Sequence, residues 1–252
     1  GQHLFGELAK ATFSVLRKQG LSLVTLMPIY AGIYLPYGFS YCYDKLKYSW
    51  KTGTLSLPNL SKKAQALTLV HMSVANDYVE PEENLSLQEE EIPEIAMRQY
   101  ALSEQGEHGL SEDVRPLPEK KFYNEDLQQV LAYLYEKLTE DYNGVPKRTD
   151  YQWHKLLSVH ALEGTQALLV HSQGEPQGYM LYSISDGVFH IQELLAANND
   201  VEMRMLKYAD MHVSEAKKVE WLAQAWNKTY LSLQDASQAP QLVPFMMARC
   251  LN

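Results

Sequence analysis

Cysteine is scarce in this 252-residue chain: there are two, Cys42 and Cys250, near opposite ends. Two thiols so far apart make no disulfide framework, and a reducing cytoplasm is the expected location. Long apolar runs are absent as well. No stretch approaches the ~18 apolar residues of a membrane span, and no signal peptide heads the sequence. Cations are outnumbered, with a formal net charge of −9. No basic stripe is visible, so a duplex nucleic-acid partner is not expected. The eight histidines form no ligand-spaced set with acids or cysteines, and Cys-x-x-Cys does not occur, so no metal is expected. Neither a Gly-x-Ser-x-Gly elbow nor a Walker phosphate loop is found.

What is present is enough for a packed core: hydrophobic residues make up 46% of the chain. Tyrosine is abundant, at 17. Its ring packs while its hydroxyl stays wet, which suits strands and half-polar clefts. The acidity is local. Residues 76–120 carry 13 acids against 3 bases, and the remainder is near neutral. With Pro81, Pro93, Pro116 and Pro118, this stretch reads as a linker or insertion, with a helix suggested near Ile92–Ser103. Glu89-Glu90-Glu91 reads as a solvated face, or as a surface meeting a cationic substrate. The expected division is residues 1–60, an acidic linker 61–121, and a second unit 122–252.

Hydrophobic spacing sets the elements. Leu4, Phe5, Leu8, Ala9, Phe13 and Leu16 predict a helix over 3–19, stopped by Gly20. Leu21–Met27 predicts a buried strand closed by Pro28, and Ile29–Tyr37 a short helix or turn. The alternation of Tyr41–Trp50 predicts a strand, and Ala64–Val74 another. In the second unit Asn124 is placed to cap a helix with Leu127, Val130, Leu131, Leu134 and Leu138 on one face. Asp150 caps a helix through Leu157. Gln166–His171 and Gly178–Ile184 flank a hairpin turn. Val188–Ala196 is a strand, Asp200 caps a helix to about Ala216, and Lys218–Ala223 is a strand. This order implies an α/β or α+β layer fold.

Two places carry candidate chemistry. Gly1, Gln2, His3 and Leu4 stand at a helix start, where free backbone N–H groups hold anions such as a pyrophosphate; an N-terminal glycine without any role is the alternative. The second place is Ala31-Gly32-Ile33-Tyr34-Leu35-Pro36-Tyr37-Gly38-Phe39, directly after the apolar strand. A tyrosine beside a thioester can protonate a departing thiolate; ordinary aromatic packing is the alternative.

The order helix, strand, Tyr-x-x-Tyr-Gly-Phe turn and strand resembles the second half of a GNAT (GCN5-related N-acetyltransferase) domain. Gly32–Phe39 and Leu242-Val243-Pro244-Phe245-Met246-Met247-Ala248-Arg249 resemble passages of the Eis (enhanced intracellular survival) type, and 122–235 resembles its second GNAT domain. The resemblance implies tandem GNAT-like domains with a mixed sheet and flanking helices. It implies acetyl transfer from acetyl-CoA to a primary amine, such as an aminoglycoside-like polyamine or a lysine side chain. It matches Tyr34 to the general acid, Ile29 and Tyr30 to the thiol end, and Gly1, Gln2, His3 and Leu4 to the pyrophosphate loop. Homo-oligomers are usual in that group. No residue is carried over as general base. By the same resemblance the chain, which opens on Gly1, lacks the front of the first GNAT domain and the C-terminal sterol-carrier-like domain. The loop Ala197-Asn198-Asn199-Asp200-Val201-Glu202 has neither glycine nor cation, so the second domain reads as a degenerate scaffold. A non-catalytic GNAT-like binding or interaction module is the alternative function.

Overall fold

The structure, a computed structural model, describes residues 4–75 and 123–251. The expected helix near Ile92–Ser103, the rest of the acidic segment, and Gly1, Gln2 and His3 lie outside the described residues. Contacts divide the chain into two compact units, Gly1–Met72 with Gln166–Asn252, and Ser73–Thr165.

The larger unit is a mixed α/β structure with a single mixed sheet flanked by helices, as the element order implied. Its strands are β1 (Leu23–Leu26), β2 (Ser40–Lys51), β3 (Thr68–Ser73), β4 (Gln166–Ser172), β5 (Glu175–Ser185), β6 (Val188–Ala196), β7 (Lys218–Gln224) and β8 (Gln241–Cys250). They lie in the order β1-β8-β2-β7-β6-β5-β4-β3. β6 and β7 are parallel; β1–β8, β2–β8, β2–β7, β4–β5 and β5–β6 are antiparallel. Helix α1 (Leu4–Lys18) ends at Gly20, whose φ of +78° is the left-handed conformation of a helix stop. A short helix, α2 (Lys62–Gln65), precedes β3 and is capped by Ser61. The segment Ala64–Val74, expected as one strand, is therefore a helical turn followed by a strand. The Ser61 hydroxyl accepts the Ala64 N–H and winds the chain before β3 begins.

The larger unit contains a structural repeat. Helix, strand, paired 3-10 turns and strand occur first as α1, β1, Ala31–Ile33 with Leu35–Tyr37, and β2. They occur again as the Asn199–Asp210 helix, β7, Thr229–Ser232 with Ala236–Gln238, and β8. The last strands are exchanged. β8 of the second copy pairs with β1 of the first, and β2 of the first pairs with β7 of the second. β2 and β8 are antiparallel neighbours at the centre.

Each copy buries its helix on the shared sheet. Ala9 and Phe13 of α1 pack with Phe39, Met247 and Leu251. Val201, Met205 and Ala209 pack with Tyr48, Met180, Phe189 and Trp221. Met203, Met205 and Leu206 are thus core residues.

In the smaller unit, α3 (Glu125–Thr139) is capped by Asn124 and buries Leu127, Leu131 and Leu134 at helical spacing. Helix α4 (Asp150–Leu162) is capped by Thr149, not Asp150, and runs past Leu157. Thr149 and Gln152 form a reciprocal capping box, which Asp150 in the first helical position cannot make. Arg148 lays its guanidinium over Tyr135 and Trp153, 4.0 and 4.7 Å from the ring centroids.

Candidate acyl-transfer site

The first copy places the start of α1 beside the turn that carries Tyr34. Four i→i+3 backbone bonds wind this turn, from Ile33, Tyr34, Tyr37 and Gly38 to Tyr30, Ala31, Tyr34 and Leu35. Pro36 stands in the first turn of the second 3-10 segment, where no N–H is needed. Gly38 closes it with φ +76°. The result is a stiff corner between β1 and β2.

Tyr34 is half-buried in this corner. Its ring meets Phe5 edge-on at 5.9 Å and Phe39 at 6.0 Å. Phe5 also meets Tyr37 at 5.3 Å. Gly6 is buried, and a Cβ there would stand 2.8 Å from the Tyr37 hydroxyl. Glycine therefore lets the first turn of α1 close against the tyrosine corner. Among the described residues the Tyr34 hydroxyl has no hydrogen-bond partner.

The other expected site residues are dispersed around this corner. Leu4 opens α1 at 68% exposure, and Ile29 and Tyr30 follow β1 at 96% and 69%. The Tyr30 ring folds over Gly32, where a Cβ would come within 2.5 Å of it. β1, expected as a buried strand, is instead the outermost strand at its end of the sheet, so Leu23 within it and Leu21 and Met27 around it are exposed.

The second copy has the same plan with different chemistry. β6 and β7 pair with each other only over Val188–Ile191 and Lys218–Trp221, then continue to Ala196 and Gln224 paired with β5 and β2 instead. The divergence begins at a bulge: Leu181 faces Glu193 and Tyr182 faces Ile191, leaving Gln192 as the extra residue. The helix beyond it, α5 (Asn199–Asp210), is capped by Asn198, whose side chain accepts the Val201 N–H. Asp200, the expected cap, lies inside the helix and accepts from the Ser61 hydroxyl at 2.8 Å. The helix stops at Asp210, short of Ala216. Asp210 is buried and takes N–H groups from Trp50, Gly53 and Leu55 on one carboxylate oxygen.

Glu202 lies in the first turn of α5. Its carboxylate accepts from Asn227 Nδ2 at 2.6 Å and from the Thr229 hydroxyl. The Tyr48 hydroxyl donates to Asn227 Oδ1 at 2.9 Å and accepts the Tyr230 N–H at 3.1 Å. Burial pushes the Tyr48 phenol well above its ordinary range, so it remains a donor. Beside the helix start lies a cleft of about 420 Å³, lined among others by Lys63, Gln173, Gln177, Asn198 and Asp200. Sequence reasoning noticed Asp200 and Glu202 as anions at a helix start. It missed their partners, and it missed Arg249, whose Nη1 donates to the Tyr37 carbonyl.

Among the described residues no helix is long and apolar enough to cross a membrane. No cluster of three or more His, Cys, Asp or Glu residues is placed to hold a metal among them.

Residues 144–250 match the family model described as an acetyltransferase (GNAT) domain. Among curated proteins no sequence matches. Solved structures do. A probable N-acyltransferase from Enterococcus faecalis superposes with a TM-score of 0.65 at 16% identity, over 100% of this chain and 51% of that one. A GCN5-related N-acetyltransferase from Anabaena variabilis gives 0.65 at 14% identity, over 100% and 52%. Eis1 from Mycobacterium abscessus gives 0.58 at 12% identity, over 99% and 53%. The chain thus spans about half the length of these structures. The family match lies over the second copy and the helix before it, and Tyr34 falls outside it. At these identities the likeness establishes architecture: the chain has the GNAT fold, with an acetyltransferase (GNAT) domain matched over residues 144–250.

Proposed function

We propose that this chain serves an N-acetyltransferase that moves an acetyl group from acetyl-CoA to a primary amine, with the reacting thioester beside Tyr34. The observation that carries the reading is the half-buried Tyr34, its hydroxyl without a hydrogen-bond partner among the described residues, set against the first turn of α1. The neutral amine attacks the thioester carbonyl carbon. The C–N bond forms, the C–S bond breaks, and the Tyr34 phenol gives its proton to the departing thiolate. The phenolate regains a proton released by the new amide nitrogen through solvent. Gly1, Gln2, His3 and Leu4 would receive the pyrophosphate at the helix start. Ile29 and Tyr30 would flank the thiol end. A polyamine of the aminoglycoside kind or a lysine side chain is the acceptor we favour, in a cytoplasmic homo-oligomer of the Eis type.

The second copy serves as scaffold in this reading. Its helix start carries Asp200 and Glu202, both already hydrogen-bonded and both repulsive to phosphate. One crevice per chain is therefore expected.

The test is Tyr34→Phe in the intact protein, with acetyl-CoA as donor and spermidine, an aminoglycoside and a lysine peptide as acceptors. Turnover should fall about 10²-fold or more with acetyl-CoA affinity little changed. Undiminished turnover would remove Tyr34 from the reaction. Absence of both acetyl-CoA binding by calorimetry and transfer to any acceptor would favour a non-catalytic module.

A further inference from the structure

We propose that Arg249 is a positioning residue for Tyr34: the last strand of the second copy holds the tyrosine corner of the first. The proposal rests on the reading that Tyr34 takes part in acyl transfer.

The corner has an unmet need at its exit. Its internal bonds use the carbonyls of Tyr30, Ala31, Tyr34 and Leu35. The Tyr37 carbonyl, at the end of the second 3-10 segment, has no acceptor role inside the turn. Gly38 then reverses the chain with a positive φ, and β2 starts at Ser40. Nothing within the corner itself fixes the direction in which Tyr37 leaves it.

Arg249 meets that need from a different part of the sequence. It sits on β8 opposite Val24 of β1. Its Nη1 donates to the Tyr37 carbonyl. Its guanidinium lies 4.2 Å from the Phe13 ring centroid, and its Cζ and Nε lie 4.0 Å from where a Gly38 Cβ would stand. Phe13 packs on Phe39, and Phe39 on Tyr34. One planar cation therefore contacts the helix, the glycine and the carbonyl that together frame Tyr34. A positive charge at a helical C-terminal carbonyl is also favourable in itself.

The clamp has a counterpart across the repeat. Tyr48, on the last strand of the first copy, binds Asn227 and the Tyr230 N–H of the second copy's turn. Each copy's final strand thus secures the other's turn. In the second copy the clamp is a neutral phenol within a network closed by Glu202. In the first it is a guanidinium, and among the described residues the Tyr34 hydroxyl has no hydrogen-bond partner.

The experiment compares Arg249→Met, Arg249→Lys and Tyr34→Phe, alone and combined, in the intact protein with acetyl-CoA and spermidine. Arg249→Met should lower kcat about 10- to 100-fold by misplacing the corner, with KM for acetyl-CoA within about twofold. Arg249→Lys keeps a cation and a donor and should recover most of the loss. Adding Tyr34→Phe to Arg249→Met should cost much less than Tyr34→Phe alone, because the phenol is already out of place. Turnover of Arg249→Met within twofold of the parent would overturn the proposal. So would full additivity with Tyr34→Phe. If Arg249→Met fails to fold, Arg249→Gln, which keeps a neutral donor, carries the same comparison. Should Tyr34→Phe alone be harmless, the transfer reading fails first, and that result is separate from the Arg249 outcome.

Discussion

Gly178 shows how little room the sheet leaves at the head of α5. A Cβ there would lie 2.6 Å from the Leu195 carbonyl oxygen and 2.9 Å from Val201 Cγ1. One neighbour is backbone and the other is core, so neither yields alone. Gly178→Ala should lower stability by about 1–3 kcal/mol, read as a lower urea midpoint at unchanged slope. An unchanged midpoint would mean that β5 and β6 have slack. Gly6 differs, because its Cβ would meet the tip of the Tyr37 side chain, which can swing. At this scale the tyrosine corner was legible, since Pro36 interrupts it and Gly38 ends it in the sequence. Its support was not, because Arg249 stands 212 positions from Tyr37 and no local pattern links them.

Among elements, α5 carries the clearest test. Asp210 ends it and accepts three N–H groups, those of the Trp50 indole, Gly53 and Leu55. Asp210→Ala leaves the Trp50 and Leu55 donors unmet in a buried place, while the Gly53 N–H keeps the Asp210 carbonyl, and should cost about 2–4 kcal/mol. Asp210→Asn retains an acceptor oxygen and should cost less. Thermal unfolding followed by tryptophan fluorescence measures both; equal losses would show that the site, not the hydrogen bonding, sets the cost. The elements with strong patterns were readable. Alternation gave β2, and the Asn124 cap with its leucine face gave α3. Start positions were less so. Asn198, Asn199 and Asp200 are all good capping residues, and only the packing of Val201 against the core selects Asn198. β8 was hidden by Pro244, which lies opposite Asp44 beside the irregular register of β2, where a missing N–H is tolerated.

For the whole molecule, the exchange of last strands makes the two copies interdependent. β8 lies between β1 and β2 and is the only neighbour of β1 in the sheet among the described residues. Removing residues 241–252 should therefore unfold the first copy as well as shorten the second. Loss of the near-ultraviolet circular dichroism signal and of a cooperative urea transition is expected. A truncated chain that keeps a sharp transition would show that β1 and β2 can pair on their own. The overall class was readable from the order of helices and strands. The interleaving was not, because it joins Leu23 to Cys250 across nearly the full sequence.

That interleaving also sets a timetable for biosynthesis. Ribosomes deliver about 5–20 residues per second. β1 is made long before β8, the strand that seats it. Throughout that interval Phe13 and Phe39 lack Met247 and Leu251 as cover. Nascent chains of this protein should accordingly engage holdase chaperones until β8 has emerged, and synonymous codons that slow the stretch between β7 and β8 should lengthen that engagement.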